Sequence, residues 1–223
     1  MRKRILLIIG LATLILVTAA CGGASNEYVL GEPLLQENFS EANAWENFTA
    51  DDVDLQVSDG VYRAQTGPGG YTWGLNEMEH TDVVIEVAAN QASAHENNGY
   101  GVMCRADPSN NGDGYYFLVS GDGFYSIRKG EADSVNPLVD WTAHSTINTG
   151  QASNTIRAVC IGNYLALHVN DRFLAETEDS SYSSGYAGLA VAAFEDEAAN
   201  DEAAVNADIT FDNLMIWAAS LSN

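Results

Sequence analysis

The sequence has 223 residues, of which 9 are Lys or Arg and 31 are Asp or Glu, and its formal net charge is −22. A field of this sign repels nucleic acids and anionic lipid headgroups, so neither is expected as a partner, whereas divalent cations are attracted. The length fits a single domain behind an export segment.

The first twenty residues predict an export signal. A basic start, Arg2–Arg4, precedes an apolar run, Ile5–Ala20, that is short for a membrane span of roughly 20 residues and ends in small side chains. The following Cys21 resembles the lipobox of bacterial lipoproteins, although Thr18 stands where Leu is usual. This resemblance implies removal of residues 1–20, a diacylglycerol on Cys21 and an anchor in the bacterial cell membrane that keeps the protein outside the cytoplasm. An ordinary signal peptide cut near the same place is the alternative.

After this signal the chain divides into a short tether, 21–33, and one domain, 34–219. The domain shows no sustained helical period, and its apolar segments alternate with turn residues at spacings of roughly 8 to 12 residues. This pattern predicts an all-β fold, a two-sheet antiparallel β-sandwich. The main strand-like segments are Asp54–Thr66, Thr81–Asn90, Gly99–Ala106, Tyr115–Ser120, Phe124–Gly130, Asn154–Gly162, Tyr164–Asn170, Arg172–Glu178, Gly185–Phe194 and Ala207–Trp217.

Two of these segments form a predicted hairpin with mixed chemistry on one face. If Asp122 and Gly123 are the centre of a two-residue type I′ turn, the strands pair so that Tyr115, Phe117 and Arg128 share a face. Aromatic rings beside a guanidinium suit a sugar, because the rings cover C–H patches and the cation donates to hydroxyls. The same composition is also typical of the rim of an ordinary core, and both interpretations stay open.

Two cysteines, Cys104 and Cys160, remain once Cys21 is assigned to the lipid. An even number in an oxidising compartment favours a disulfide, here between two strand-like segments across the core. Two buried free thiols, packed as small apolar groups, are the alternative.

The order of the motifs resembles a known superfamily. The stretch "NTIRAVCIGNYLALHVNDRFLAE" followed by "GYAGL", together with "NNGYGVMCR", "GYYFLVSGDGFYSI" and "ITFDNLMIW", is similar to concanavalin A-like lectin/glucanase jelly rolls. The closest resemblance is to the LamG-like and 3-keto-disaccharide-hydrolase-type domains of exported lipoproteins. It implies a jelly roll of about 12 to 14 strands whose concave face or edge loops bind glycan.

The resemblance implies a surface-anchored module that binds carbohydrate or another cell-surface component without cleaving it. The hypothesised contacts are Tyr115, Phe117 and Arg128, with Trp73 and Trp141 as further aromatic candidates. A glycoside-cleaving enzyme of the 3-keto-disaccharide hydrolase type is the first alternative, but the Glu-x-Asp-x-x-Glu motif of the retaining glucanases is absent.

A calcium-stabilised adhesive or structural protein is the second alternative. In related jelly rolls a structural calcium often lies where the first and last strands meet, and the resemblance places Glu37 and Asp212 there. Calcium needs six to eight oxygen ligands, so backbone carbonyls or water would complete such a site. Carboxylates that cap strand ends explain the same two residues without a metal.

Overall fold

The computed structural model describes residues 27–41, 45–195 and 205–222. The predicted signal peptide and the predicted lipidation site, Cys21, lie outside the described residues. Within these three ranges, no helix has the length and apolar character needed to cross a membrane.

The described residues form fifteen strands and no helix. The strands are β1 Tyr28–Glu37, β2 Phe48–Ala50, β3 Val53–Ser58, β4 Val61–Thr66, β5 Gly70–His80, β6 Val83–Gln91, β7 Asn98–Ala106, β8 Gly114–Val119, β9 Phe124–Glu131, β10 Ser134–Ala143, β11 Ser153–Ile161, β12 Tyr164–Val169, β13 Arg172–Glu178, β14 Gly185–Ala193 and β15 Ala207–Leu221.

These strands build two antiparallel sheets. The nine-stranded sheet has the order β13-β12-β11-β6-β15-β4-β3-β2, with β1 paired to β15, and the six-stranded sheet has the order β10-β9-β8-β7-β14-β5. Side chains alternate across each strand, and one face of each sheet contributes to a shared apolar core. The predicted all-β, two-sheet sandwich is therefore confirmed.

The first strand begins earlier than the sequence predicts. Residues 28–33 were assigned to the tether, but Tyr28 pairs with Leu221 and Leu30 with Ala219, so they belong to the nine-stranded sheet. The reason is that β4 pairs only with residues 207–211 of β15, which leaves this edge of β15 free from Leu214 to Leu221 for β1.

The hairpin β8–β9 has a three-residue loop, and the predicted two-residue turn is wrong. The Ser120 N–H donates to the Phe124 carbonyl at 2.9 Å, and Gly123 takes a φ of 92°, which suits glycine at the left-handed position of such loops. Phe117 consequently lies opposite Ile127, and Leu118 opposite Ser126. This shift of one residue exchanges the faces on which the side chains of β9 lie relative to β8.

A disulfide and the hydrogen bonds of one buried arginine connect the two sheets at β7. Cys104 of β7 and Cys160 of β11 form a disulfide, as the sequence predicts. The neighbouring Arg105 is 2% exposed, and its guanidinium donates to the carbonyls of Gly162 and Tyr182 at 2.7 and 2.9 Å. Since β7 lies in the middle of the six-stranded sheet, these links fix the sheet that carries the candidate site.

Candidate functional site

A second apolar cluster, separate from the core, covers the outer face of the six-stranded sheet. This face carries buried Met103 and Leu118 beside small residues from β7 and β14, among them Gly99 and Ala190. A Cβ on Gly99 would lie 3.3 Å from the Phe194 ring and 3.4 Å from the Trp141 ring, so glycine lets these rings rest on the strand. We call the five rings of this surface the aromatic face; they are Tyr71, Trp73, Tyr116, Trp141 and Phe194.

The rings of the aromatic face touch one another edge to face. Ring centroids are 5.8 Å apart for Trp141 and Phe194, 5.9 Å for Phe194 and Tyr71, and 6.3 Å for Trp73 and Tyr116. These separations fall within the range in which aromatic pairs attract each other. Tyr116 is buried beneath the others, while the remaining four rings are half-buried and keep part of their surface in solvent.

Arg128 adds hydrogen-bond donors to this surface. Its guanidinium lies 5.8 Å from the centroid of the Trp141 ring, and its Nη2 donates to the Val135 carbonyl at 3.0 Å. The Nε atom is buried and has no hydrogen-bond partner among the described residues. An arginine held against an aromatic ring is a frequent element of binding surfaces, because it offers fixed donors beside an apolar plane.

The loop between β7 and β8 positions Trp73. The Trp73 indole N–H donates to the Asn110 side-chain oxygen, and the Asn110 amide donates in turn to both carboxylate oxygens of Glu46 at 2.9 Å. Gly112 follows with a φ of 87°, and a Cβ there would come within 2.8 Å of the Trp73 ring. The loop therefore packs closely on the indole and fixes the orientation of its ring.

Two of the five predicted contacts lie in the core, and that part of the prediction is wrong. Tyr115 and Phe117 are 0% exposed and point toward the nine-stranded sheet. The Tyr115 hydroxyl donates to the Asp179 carboxylate at 2.6 Å, so even its polar end is occupied by the protein. The alternation of β8 turns Tyr116 outward instead, and the three-residue loop of the hairpin places Tyr116 opposite Arg128.

The structure brings the other three predicted residues, Trp73, Trp141 and Arg128, to the same outer face. Sequence reasoning missed Tyr71, Tyr116 and Phe194. Tyr116 has the required signal, since it is one position from a predicted contact, and only the length of the turn decides between them. Phe194 ends the segment "GYAGLAVAAF", where an aromatic after a run of small residues indicates a ring that packs across the strand.

Solved structures share the arrangement of these strands. No protein-family model and no curated protein matches the chain. The carbohydrate-binding module CBM66 from Bacillus subtilis superimposes with a TM-score of 0.61 at 16% identity, covering 79% of this chain and 96% of that one. A Bacillus subtilis protein of unknown function with a galectin-like fold gives 0.62 at 10% identity, covering 87% of this chain and 100% of that one.

The LamA protein of Zobellia galactanivorans, solved with laminaritriose and laminaritetraose, gives a TM-score of 0.59 at 11% identity and covers 85% of this chain and 100% of its own. The fold is a concanavalin A-like jelly roll. At these low sequence identities the similarity shows a shared fold only. What this jelly roll binds must therefore be inferred from its own side chains.

Two cavities flank the aromatic face of the jelly roll. One, of about 450 Å³, lies beside Tyr71, Trp73 and Tyr116 and extends to the β9–β10 turn. The other, of about 190 Å³, lies beside Trp141 and Phe194 at the opposite end. The aromatic face therefore separates two recesses on one side of the sheet, which is a suitable shape for an elongated ligand.

Two tyrosines near the larger recess keep their protons. Tyr116 lines the recess, whereas Tyr182 packs against Tyr115 on the core side of the sheet. Burial raises the pKa of Tyr182 to about 12, and the carboxylates of Asp113 and Glu131 raise it further in the same direction. Burial also raises the pKa of Tyr116, with a smaller contribution from Asp113. Both phenols are neutral at pH 7 and act there as hydrogen-bonding groups.

The two residues predicted for calcium lie on the first and last strands of the jelly roll. Glu37 pairs with Leu214, two positions from Asp212, and its carboxylate accepts the Phe39 N–H at 2.7 Å. The Asp212 carboxylate accepts the Asn213 N–H at 2.6 Å. The described residues contain no group of three or more His, Cys, Asp or Glu side chains that could hold a metal, and calcium at Glu37 and Asp212 stays a prediction.

Proposed function

We propose that the chain is an exported, lipid-anchored protein whose jelly roll binds carbohydrate through the aromatic face without cleaving it. The similar structures support a carbohydrate ligand, since CBM66 is named for carbohydrate binding and LamA was solved with laminarin oligosaccharides. The export sequence and Cys21 support the anchor. Blocking lipid addition with Cys21→Ala should release the protein from the membrane fraction, and retention there would contradict the anchor.

A single observation carries the carbohydrate proposal, namely half-buried aromatic rings packed side by side on the outer face. Four rings stay partly exposed because nothing in the described chain covers them; they are Trp141, Phe194, Tyr71 and Trp73. Pyranose rings present patches of C–H groups that stack on such surfaces, while their hydroxyls need donors and acceptors at the edge. Arg128, whose guanidinium lies against the Trp141 ring, is placed at that edge.

A glycan array with the full-length chain in mild detergent identifies a ligand, and calorimetry then measures its affinity. We expect Trp141→Ala to weaken binding roughly 30-fold, because central aromatic anchors typically contribute about 2 kcal/mol or more. Trp217→Ala is the matched control, since Trp217 is also half-buried but lies on the outer face of the nine-stranded sheet. It should leave the affinity unchanged.

Two results would contradict this proposal. An array without any bound glycan removes the carbohydrate ligand. Equal affinities for the wild type and Trp141→Ala, with Trp141→Ala folded, remove the aromatic face as the site.

Glycoside cleavage is a second candidate, and one observation favours it. Glu46 and Glu77 both line a cavity of about 340 Å³, together with Trp45 and Tyr186, at the β5 edge of the six-stranded sheet. Glycoside hydrolysis generally uses two carboxyl groups placed on either side of the scissile bond. Incubation with ordinary and 3-keto disaccharides tests the idea: released monosaccharide that disappears in Glu77→Gln supports cleavage, and no release contradicts it.

A further inference from the structure

The larger recess beside the aromatic face combines flat apolar walls with negative charge. It has a volume of about 450 Å³, and three rings, Tyr71, Trp73 and Tyr116, form one side of it. The opposite side belongs to the β9–β10 turn and includes Glu131 and Asp133. The Asp133 side chain is exposed, whereas Glu131 pairs with Lys129, which lies opposite the inward-facing Tyr115, so the Glu131 carboxylate lies toward the core side of the sheet. We call this recess the acidic groove.

The negative charge of the acidic groove is incompletely balanced. Glu131 forms an ion pair with Lys129 at 3.4 Å, but Lys129 also lies 4.0 Å from Asp179 and donates to the Ser181 hydroxyl. Asp133 is exposed and has no ion-pair partner among the described residues. In the part of the chain that the structure describes, no Lys or Arg side chain lines the groove, although the Arg128 guanidinium, which lies against Trp141, donates to the carbonyl of the lining residue Val135.

The turn that carries these carboxylates is held in place. Ala132 and Asp133 have φ values of 50° and 65°, as a two-residue type I′ hairpin requires. The Ala132 N–H donates to the Asp113 carboxylate at 3.0 Å, which fastens the turn to the neighbouring loop. Because Gly70 has no atoms within 4 Å of the place where a Cβ would be, the side of the groove next to β5 stays open.

From this arrangement we propose that the acidic groove binds a sugar unit that carries a free ammonium group, a 2-amino-2-deoxyhexose, with its ring against Tyr71 and Trp73 and its ammonium beside Asp133. The inference rests on the proposed carbohydrate function and names the class of sugar. An ammonium gains charge-assisted hydrogen bonds to carboxylates, whereas a uronate or a sulfated sugar would bring like charges together.

Three β-1,4-linked trimers that differ at carbon 2 provide the test. The trimers of glucosamine, of N-acetylglucosamine and of glucose carry an ammonium, a neutral amide and a hydroxyl at that position. Calorimetry with the full-length chain at pH 6 and low salt should give the glucosamine trimer the highest affinity, by about two- to fivefold over each of the others, the range of exposed charge pairs. At 1 M NaCl, where the screening length falls to about 3 Å, the preference should disappear.

A pair of variants separates the groove from the charge of the whole protein. Asp133→Asn removes one carboxylate from the groove, and asparagine also tolerates the positive φ of this position. Asp59→Asn makes the same change at a positive-φ position in the exposed β3–β4 turn, which does not line the groove. We expect Asp133→Asn to remove about half or more of the affinity for the glucosamine trimer and Asp59→Asn to leave it unchanged, with neither change affecting the glucose trimer.

These experiments distinguish failure of the amino-sugar inference from failure of the proposed carbohydrate function. Equal affinities for the three trimers, or equal losses in Asp133→Asn and Asp59→Asn, overturn the amino-sugar inference while Trp141-dependent binding stands. The same holds if the trimers do not bind but another glycan on the array does. Only an array without any hit overturns both.

Discussion

The inner and outer faces of the six-stranded sheet use the same strands for different purposes. Inward side chains such as Val102 and Phe117 are 0% exposed and pack against the nine-stranded sheet. Outward positions on the same sheet carry small residues such as Gly99, partly exposed rings and a guanidinium, together with a few buried apolar side chains such as Met103 and Leu118. Neighbouring residues of a strand point to opposite sides of the sheet. Substitution of an inward residue should therefore mainly affect folding, whereas substitution of an outward ring should mainly affect binding, even at adjacent positions.

The largest expected effect comes from a phenylalanine on the inner face. Phe117→Ala should lower the free energy of unfolding by about 3 to 5 kcal/mol, because it leaves a cavity in a close-packed core. Phe194→Ala removes the same ring from the outer face, where it is half-buried, and should cost only about 1 kcal/mol. Urea unfolding of both variants measures the difference.

Binding should show the reverse order. Folded Phe117→Ala should keep its affinity for glycan, whereas Phe194→Ala, which removes a ring between Trp141 and Tyr71, should bind more weakly. Comparable losses of stability in the two variants would show that the aromatic face is part of the structural core.

Much of this architecture was predictable from the sequence, because it depends on local alternation. The strand-like segments, the two-sheet class and the pairing of Cys104 with Cys160 follow from apolar periodicity and cysteine count. The assignment of Tyr115 and Phe117 to a ligand was wrong because it depended on one loop length. Gly121 is held by the Asn98 side chain at 3.0 Å, a contact from a distant strand that no local pattern reveals.

The composition of the site was harder to predict than its position. Trp73 and Trp141 are separated by nearly seventy residues, and the sequence indicates neither that they lie on one face nor that Tyr71 and Phe194 lie between them. This grouping arises from the strand order, which places β5 and β10 at opposite edges of the six-stranded sheet. Such long-range order depends on tertiary pairing, to which local propensity contributes little.

A smaller effect is expected from the charge on the outer face. Arg128→Met keeps the length of the side chain and its cover over Trp141 but removes the cation and its donors. Since a hydrogen bond from the guanidinium to a sugar hydroxyl contributes about 0.5 to 1.5 kcal/mol net, glycan affinity should fall by about two- to tenfold. Calorimetry checks this, and the free energy of unfolding should change by less than about 1 kcal/mol. An unchanged affinity would restrict the site to the rings.

The smallest expected difference in stability is between two adjacent tyrosines, one that faces the core and one that faces outward. The hydroxyl of Tyr115 donates to Asp179 on the inner face, and that of Tyr116 donates to the Gly112 carbonyl at 2.8 Å on the outer face. At pH 8 Tyr115→Phe should cost about 1.5 to 3 kcal/mol of stability, because its partner is a carboxylate, and Tyr116→Phe should cost about 1 kcal/mol, the typical net value of a neutral hydrogen bond. Only Tyr116→Phe should alter glycan binding, because its hydroxyl holds Gly112 in the loop that packs on the Trp73 ring.

The pH dependence of Tyr115→Phe follows from its environment in the core. Burial, and then the hydrogen bond to Asp179, raise the pKa of Tyr115 from 10.0 to about 12. Between these values the unfolded chain releases the phenol proton while the folded chain keeps it, so this contribution to stability is complete below pH 10 and is lost as the pH rises toward 12. The stability gap between wild type and Tyr115→Phe should therefore narrow over that interval in urea titrations. A gap that stays constant would mean that the Tyr115 phenol ionises as readily in the fold as in the unfolded chain, and would remove it from the inner face.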